Sequence, residues 1–287
     1  MKKKDKIKII TDSAGDITLK KAAELDIAVL PMNVTFGEDN YKDGRDLTNE
    51  QFYKLLEESS HFPKTSMVNP EDIKNEFLKN KDEYDHQIFV SISSLASGTS
   101  NTASVIAEEL REEYPDLKIT VLDSMAFTYI YGAVVIDMAA AAKNGASYNE
   151  IMKIYNRLNP LMDAYFIVGS LNHLQRGGRI HPGVAIIGNL LGIKPLLNIR
   201  GGLVNLFARE RSAKKATHKI ISLVSDSIDL GYHTVYIANA GAKAEATEFE
   251  ADLKRKLNVH TEHINIGACI GAHCGPGLVG VIFKRKK

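Results

Sequence analysis

Cysteine is scarce in this chain: Cys269 and Cys274 are the only two. Two thiols so close together make neither a disulfide scaffold nor a usual zinc pair, so a reducing compartment is the expected setting. A surplus of one charge is lacking as well. Lys plus Arg number 36 against 35 Asp plus Glu, which leaves no long-range field to hold a polyanion and argues against a nucleic-acid partner. Long apolar runs are also missing. The most apolar region, Met125 to Ala142, is interrupted by Thr128, Gly132 and Asp137 and falls short of the ~18 uninterrupted apolar residues of a membrane span. It reads as a buried helix. The basic start, Met1 to Lys6, leads into Ile7-Lys8-Ile9-Ile10 and then polar Thr11-Asp12-Ser13, without the apolar block of a signal peptide, so cytoplasmic residence is expected. What is present suits a folded protein: 287 residues, 44% hydrophobic and 25% charged, enough for one large or two ordinary domains.

Short β-branched runs alternate with stretches of helical period, which predicts sheets flanked by helices. Ile7 to Thr11, Ile27 to Leu30, Gln87 to Ser91 and Lys118 to Leu122 read as strands of a mostly parallel N-terminal sheet. Thr48 with Gln51 three residues on, and Asn69-Pro70-Glu71-Asp72, read as helix starts. After Lys143-Asn144-Gly145, a helix over Tyr148 to Leu158 opens a second series, which sets domains at residues 1–146 and 147–287. Strands are then expected at Ala164 to Val168, Pro195 to Ile199, Leu203 to Arg209, Thr234 to Ala238, His263 to Ile266 and Leu278 to Phe283. Gly201-Gly202 between two of them signals a hairpin, so the C-terminal sheet should be mixed. The fold class is therefore two α/β domains.

Several motifs carry chemistry on paper. Gly275-Pro276-Gly277-Leu278-Val279-Gly280 spells the dinucleotide fingerprint, but too little chain follows it to complete the strand–turn–helix unit that motif needs. Cys274 beside His273 makes poor geometry for a nucleophile and base, because adjacent side chains seldom face each other. No metal site and no catalytic residue is assigned. Hydroxyls crowd Ser91 to Thr102, and a second pair, Thr65-Ser66, precedes Asn69-Pro70; each also reads as an ordinary cap. Brought together with His273 and helix N-termini, they could hold one carboxylate without a buried Lys or Arg. Basic order appears in Gln175-Arg176-Gly177-Gly178-Arg179 and in Arg209-Glu210-Arg211, where two arginines alternate on an expected strand and could grip a phosphate or an acidic partner. Val184 to Gly188 and Leu191 to Ile193 are apolar enough to line a tunnel, or to be plain core.

Taken in order, these segments resemble the DegV family of bacterial fatty-acid-binding proteins. Thr11-Asp12-Ser13 with Asp16-Ile17, Thr65-Ser66, Ser94 with Ser97-Gly98-Thr99, and Leu122-Asp123-Ser124 carry the likeness in the first half. Leu174 to Ile180, Gly192-Ile193-Lys194-Pro195, Arg209 to Ala216 and Gly271-x-His273-x-Gly275-Pro276-Gly277 carry it in the second. Met67-Val68-Asn69 stand where the family commonly has Gln before Pro, and Ser212-Ala213 lengthen the basic stretch, leaving both Arg209 and Arg211 as counterparts of the family's arginine. The resemblance implies a long-chain fatty acid such as palmitate as ligand, no cofactor, and a carboxylate held at the domain interface by Thr65, Ser66, Ser97 and His273. It also implies a binding subunit, not an enzyme, that presents the acid to a separate ATP-dependent fatty acid kinase for acyl phosphate formation and phospholipid synthesis. Arg209 or Arg211 would engage the kinase or phosphate, and the role leaves room for transient membrane contact. Two other readings are a stand-alone enzyme using His273 and Arg209 on a small acyl or phosphorylated substrate, and a lipid-sensing regulatory module. Turnover by the protein alone separates the enzyme from the carrier.

Overall fold

A computed structural model describes residues 5–182, 193–232 and 234–287. Most of the apolar run offered above as a tunnel wall, from Val184 to Gly192, lies outside them. In chain order, β1 (Ile7–Asp12) passes through a 3-10 turn (Ser13–Gly15) to α1 (Leu19–Glu24) and β2 (Ile27–Leu30). There follow β3 (Asn33–Phe36), β4 (Asp39–Lys42), α2 (Asn49–Glu58), β5 (Lys64–Ser66) and α3 (Pro70–Lys79). Next come β6 (His86–Ser91), α4 (Thr99–Glu113), β7 (Ile119–Asp123), α5 (Tyr129–Lys143) and α6 (Tyr148–Leu158). The second half runs β8 (Met162–Ile167), α7 (Asn172–Gly177), β9 (Lys194–Arg200), β10 (Leu203–Glu210) and α8 (Ala213–Ser227). It ends with β11 (Thr234–Ala240), α9 (Lys243–Lys256), β12 (His260–Asn265), α10 (Ala268–Cys274) and β13 (Leu278–Lys284).

Among the described residues, three sheets result. Strands β2-β1-β6-β7 form a parallel sheet; β10-β9-β8-β13-β11-β12 form a mixed one, antiparallel except for the β11–β12 pair. β1 is buried along its whole length, as a strand covered on both faces must be. In β8 the alternation sorts residues by face: Ala164 and Phe166 join the large core shared with the parallel sheet, while Tyr165 and Ile167 meet Ile220, Val224 and Phe249 under α8 and α9. The hairpin at Gly201-Gly202 is present, with Leu203 opposite Arg200. Thr48 and Gln51 form the expected capping box, and Asn69 caps α3 with Pro70 at its first position.

Four sequence expectations shift. The strand expected at His263–Ile266 runs His260–Asn265, because β12 is a sheet edge: it pairs with β11 from Thr234↔His260 onward and buries only Ile264, so its apolar signal is faint. The small sheet β4-β3-β5 was not foreseen, and Thr65 and Ser66 lie on its short edge strand instead of acting as caps. The buried helix starts at Tyr129 and not near Met125, since Met125 and Thr128 both adopt left-handed φ, which breaks the helix. Arg211 falls beyond the end of β10, and a register shift at Leu206/Ala208 interrupts the strand, so Arg209 and Arg211 do not alternate on one strand face.

Candidate functional site

Thr65 and Ser66 arrive on β5, Ser97 in the turn before α4, and His273 in the last turn of α10; all four line a single cavity of about 190 Å³. The rest of its wall is largely apolar, including Ile92, Phe127, Phe166, Leu174, Ile270 and Ile282. Polar groups thus sit within a hydrocarbon-lined space.

The centre of the polar group is a bond of 2.7 Å between His273 Nε2 and Thr65 Oγ1. His273 Nδ1 is buried without a partner, and it rests against Gly177 so closely that a Cβ there would lie 2.3 Å from it. Burial pushes the imidazole down to about 4, helped by the positive charge of Arg179 and by His173. The ring is therefore neutral at neutral pH. In the tautomer with its proton on Nε2 the ring donates to Thr65, which leaves the Thr65 hydroxyl free to donate into the cavity. Ser97 is fixed in a parallel way: its Oγ accepts from Thr99 N–H at 3.3 Å and lies 2.9 Å from the fully buried Thr99 hydroxyl. When Thr99 donates in that pair, Ser97 also has its O–H to give.

Arg179 was not assigned to the site from sequence, yet it lines the cavity. Its Nε donates to Ala96 O at 3.0 Å and an Nη to Gly177 O at 2.6 Å, which ties a cation to the turn that carries Ser97. The signal available was the Arg-Gly-Gly-Arg spacing: Gly177 makes room for His273 and Arg179 follows two residues later. α7 is seated on α10 through His173 Nδ1 and Ala272 O, 3.4 Å apart, and Phe62 packs there under the Arg176 guanidinium at 4.0 Å.

The remaining motifs fall elsewhere. Arg209 and Arg211 are exposed, and neither is part of the cavity wall. The Gly275-to-Gly280 stretch turns from a helix into β13, the reverse of a dinucleotide cradle. Cys269 and Cys274 are buried, and that burial pushes both thiols far up, away from thiolate chemistry. No group of His, Cys, Asp or Glu fit to hold a metal occurs among the described residues, and none of their helices is long and apolar enough to cross a membrane.

Fold and site together define a class: a mixed α/β protein with a parallel sheet and a mixed sheet around an apolar cavity that has a hydroxyl–imidazole pair in its wall. The family described as "Uncharacterised protein, DegV family" matches residues 6–286, and the chain belongs to it. A DegV domain-containing protein of Caldanaerobacter subterraneus is 33% identical over 285 residues, covering 98% of this chain and 100% of that one. Among solved structures, DegV of Bacillus subtilis, a fatty-acid-binding protein, superposes with a TM-score of 0.88 at 28% identity, covering 98% of this chain and 100% of its own. A stearic-acid-binding protein of Eubacterium ventriosum does so at 0.85 and 27%, covering 98% of each chain.

Proposed function

We propose that the chain binds one long-chain fatty acid, such as palmitate, with its carboxylate among Thr65, Ser66, Ser97 and His273 and its alkyl chain along the apolar wall. The observation that carries this reading is the Thr65–His273 pair set into an otherwise hydrocarbon-lined cavity. Each buried methylene is worth about 0.8 kcal/mol, so a dozen contribute on the order of 10 kcal/mol before ordering costs, against about 1.5–3 for a hydrogen bond to a charged head group. The tail supplies affinity and the head sets direction. Two hydroxyls with protons to give suit an acceptor-only carboxylate, and Arg179 adds the positive charge that partly offsets its desolvation. Fatty-acid binding by the Bacillus subtilis and Eubacterium ventriosum relatives supports the same ligand class.

In this reading the head group lies between an N-terminal domain ending near residue 146 and a C-terminal domain starting at 147, in a cytoplasmic carrier without a catalytic site of its own. The carrier presents the carboxylate to a separate ATP-dependent fatty acid kinase, whose acyl phosphate product feeds phospholipid synthesis. Exposed Arg209 and Arg211, away from the cavity wall, are suited to meet the kinase or the phosphate by two-pronged bonding. A stand-alone enzyme is less well supported, because a His at about 4 is far from the value near 7 that serves a general acid or base, and Cys274 is buried. Calorimetry of palmitate with the delipidated chain, followed by an acyl phosphate assay with kinase and ATP, tests the two parts. Failure to bind palmitate rejects the ligand; binding with product formed by the chain and ATP alone rejects the carrier role.

A further inference from the structure

Helix α10 carries His273 at its C-terminal end, and the other end meets two acids that the head-group reading does not use, half-buried Asp16 and buried Asp43. Asp16, just past the turn that follows β1, accepts the Gly267 N–H on Oδ1 at 2.9 Å and shares a bond of 2.5 Å between Oδ2 and the Thr128 hydroxyl. Asp43 takes the next amide, Ala268 N–H, at 3.1 Å, and is itself held by the Ser13 hydroxyl at 2.8 Å. A Cβ at position 267 would lie 2.7 Å from Asp16 Oδ1, so the glycine is what admits the carboxyl to the helix start. Thr128, which also lines the cavity, has φ 52° and ψ −149°, a backbone state that costs a β-branched residue dearly. Asp16 has φ 53°. Two left-handed residues, hydrogen-bonded to each other, are maintained only where the surroundings gain from the contact.

We infer that Asp16 is a positioning residue: by bridging the Gly267 amide and the Thr128 hydroxyl it latches the His273 helix to the start of α5 and keeps His273 within bonding distance of Thr65. The inference rests on the carboxylate reading for its purpose, though not for its geometry. Burial pushes Asp16 up to about 8 despite the Thr128 bond, with Asp43 and Asp12 adding to the rise. Asp12, Asp43, Tyr53, Tyr131, Cys269 and Cys274 surround it on the protein side, and Lys21, Arg45, Glu262 and His263 line the polar cavity it borders. With its value at about 8, the bridge is mainly a neutral acid at neutral pH, which asparagine copies in shape and in bonding.

The test compares wild type with Asp16→Asn, Asp16→Ala and Thr128→Gly, reading the preference for palmitate over methyl palmitate by calorimetry and the His273 ring nitrogens by NMR in lipid-free protein. Asp16→Asn should keep both. Asp16→Ala and Thr128→Gly should lose about tenfold of the acid-over-ester preference, the worth of one hydrogen bond to a charged group, and should raise the ring's titration toward the ordinary range. Thr128→Gly relieves the backbone strain, so it decides the question if Asp16→Ala does not fold. Unchanged preference and unchanged ring signals in the folded variants overturn the latch. No preference in wild type would instead reject the carboxylate reading, and the ring signals alone would then judge the latch.

Discussion

The two ends of α10 solve the same electrostatic problem with opposite chemistry. At the C-terminal end burial lowers a base, His273, to about 4; at the N-terminal end it raises acids, Asp16 to about 8 and Asp43 to about 6. Both ends favour the neutral form, because a charge without a nearby counter-charge is costly in a low-dielectric interior. The ends differ in what they leave open. The acid end borders a second, more polar cavity lined by Ser13, Asp16, Asp43 and Gly267, but its carboxyls are already bonded to protein amides and hydroxyls. The His end opens on a cavity and leaves Thr65 and Ser97 with protons to give when His273 Nε2 and the Thr99 hydroxyl act as donors to them. One end holds; the other receives.

The comparison breaks most severely if the His end loses its space. Gly177→Val places a side chain where a Cβ would already lie 2.3 Å from His273 Nδ1, so the ring must leave Thr65. Overpacking of about 1–3 kcal/mol would lower palmitate affinity by roughly tenfold to a hundredfold in calorimetry. Thr65→Val removes the hydroxyl and strands His273 Nε2, with an expected loss of about 1–3 kcal/mol in the same titration. Ser97→Ala costs about 1 kcal/mol or more, and the loss should vanish when methyl palmitate replaces the acid.

The acid end is probed by pH. Asp16, with Asp12 and Asp43 raised to about 6, binds protons more tightly folded than unfolded, so each contributes stability that is full below its ordinary 3.8 and is lost as pH rises through the folded value. His273 works the other way: its contribution is present above 6.5 and is lost as pH falls toward 4. Between pH 7.5 and 8.5 the other three have largely finished titrating in both states and Asp16 dominates the change among these four, so the urea midpoint of wild type should fall across that window. Asp16→Asn should flatten the fall, and an equal slope in both proteins would contradict the assignment. The smallest effect on binding belongs to Arg209→Ala, which should carry as much fatty acid as wild type by mass spectrometry while failing in acyl phosphate formation with the kinase. Arg211→Ala, beyond the strand end, is its control.

How far the sequence could lead follows from these residues. The central strands β1 and β6 of the parallel sheet were legible because burial on both faces makes continuous apolar runs, and α2, α3 and α6 because their caps are local signals. Thr65, Ser97 and His273 could be gathered only through motif order, since elements far apart in the chain bring them together. Ser66 joined Thr65 as a cap and is found on an edge strand. Arg179 is not marked as a site residue by its sequence, where the basic stretch reads equally as solvated surface, and its orientation depends on Ala96 O and Gly177 O, which no spacing rule reveals. The Asp16 bridge was hidden for the same reason: Gly267 lies 251 positions away. Edge strand β12 and the small sheet β4-β3-β5 carry too few buried residues to announce themselves.

The central claim is that this cavity holds one fatty acid by its carboxylate, and native mass spectrometry of the purified chain tests it most directly. The account predicts a mass increment of one long-chain fatty acid, lost on organic extraction, regained with palmitate, and regained poorly by Thr65→Val. An unliganded mass together with no palmitate uptake by folded, delipidated protein would contradict it.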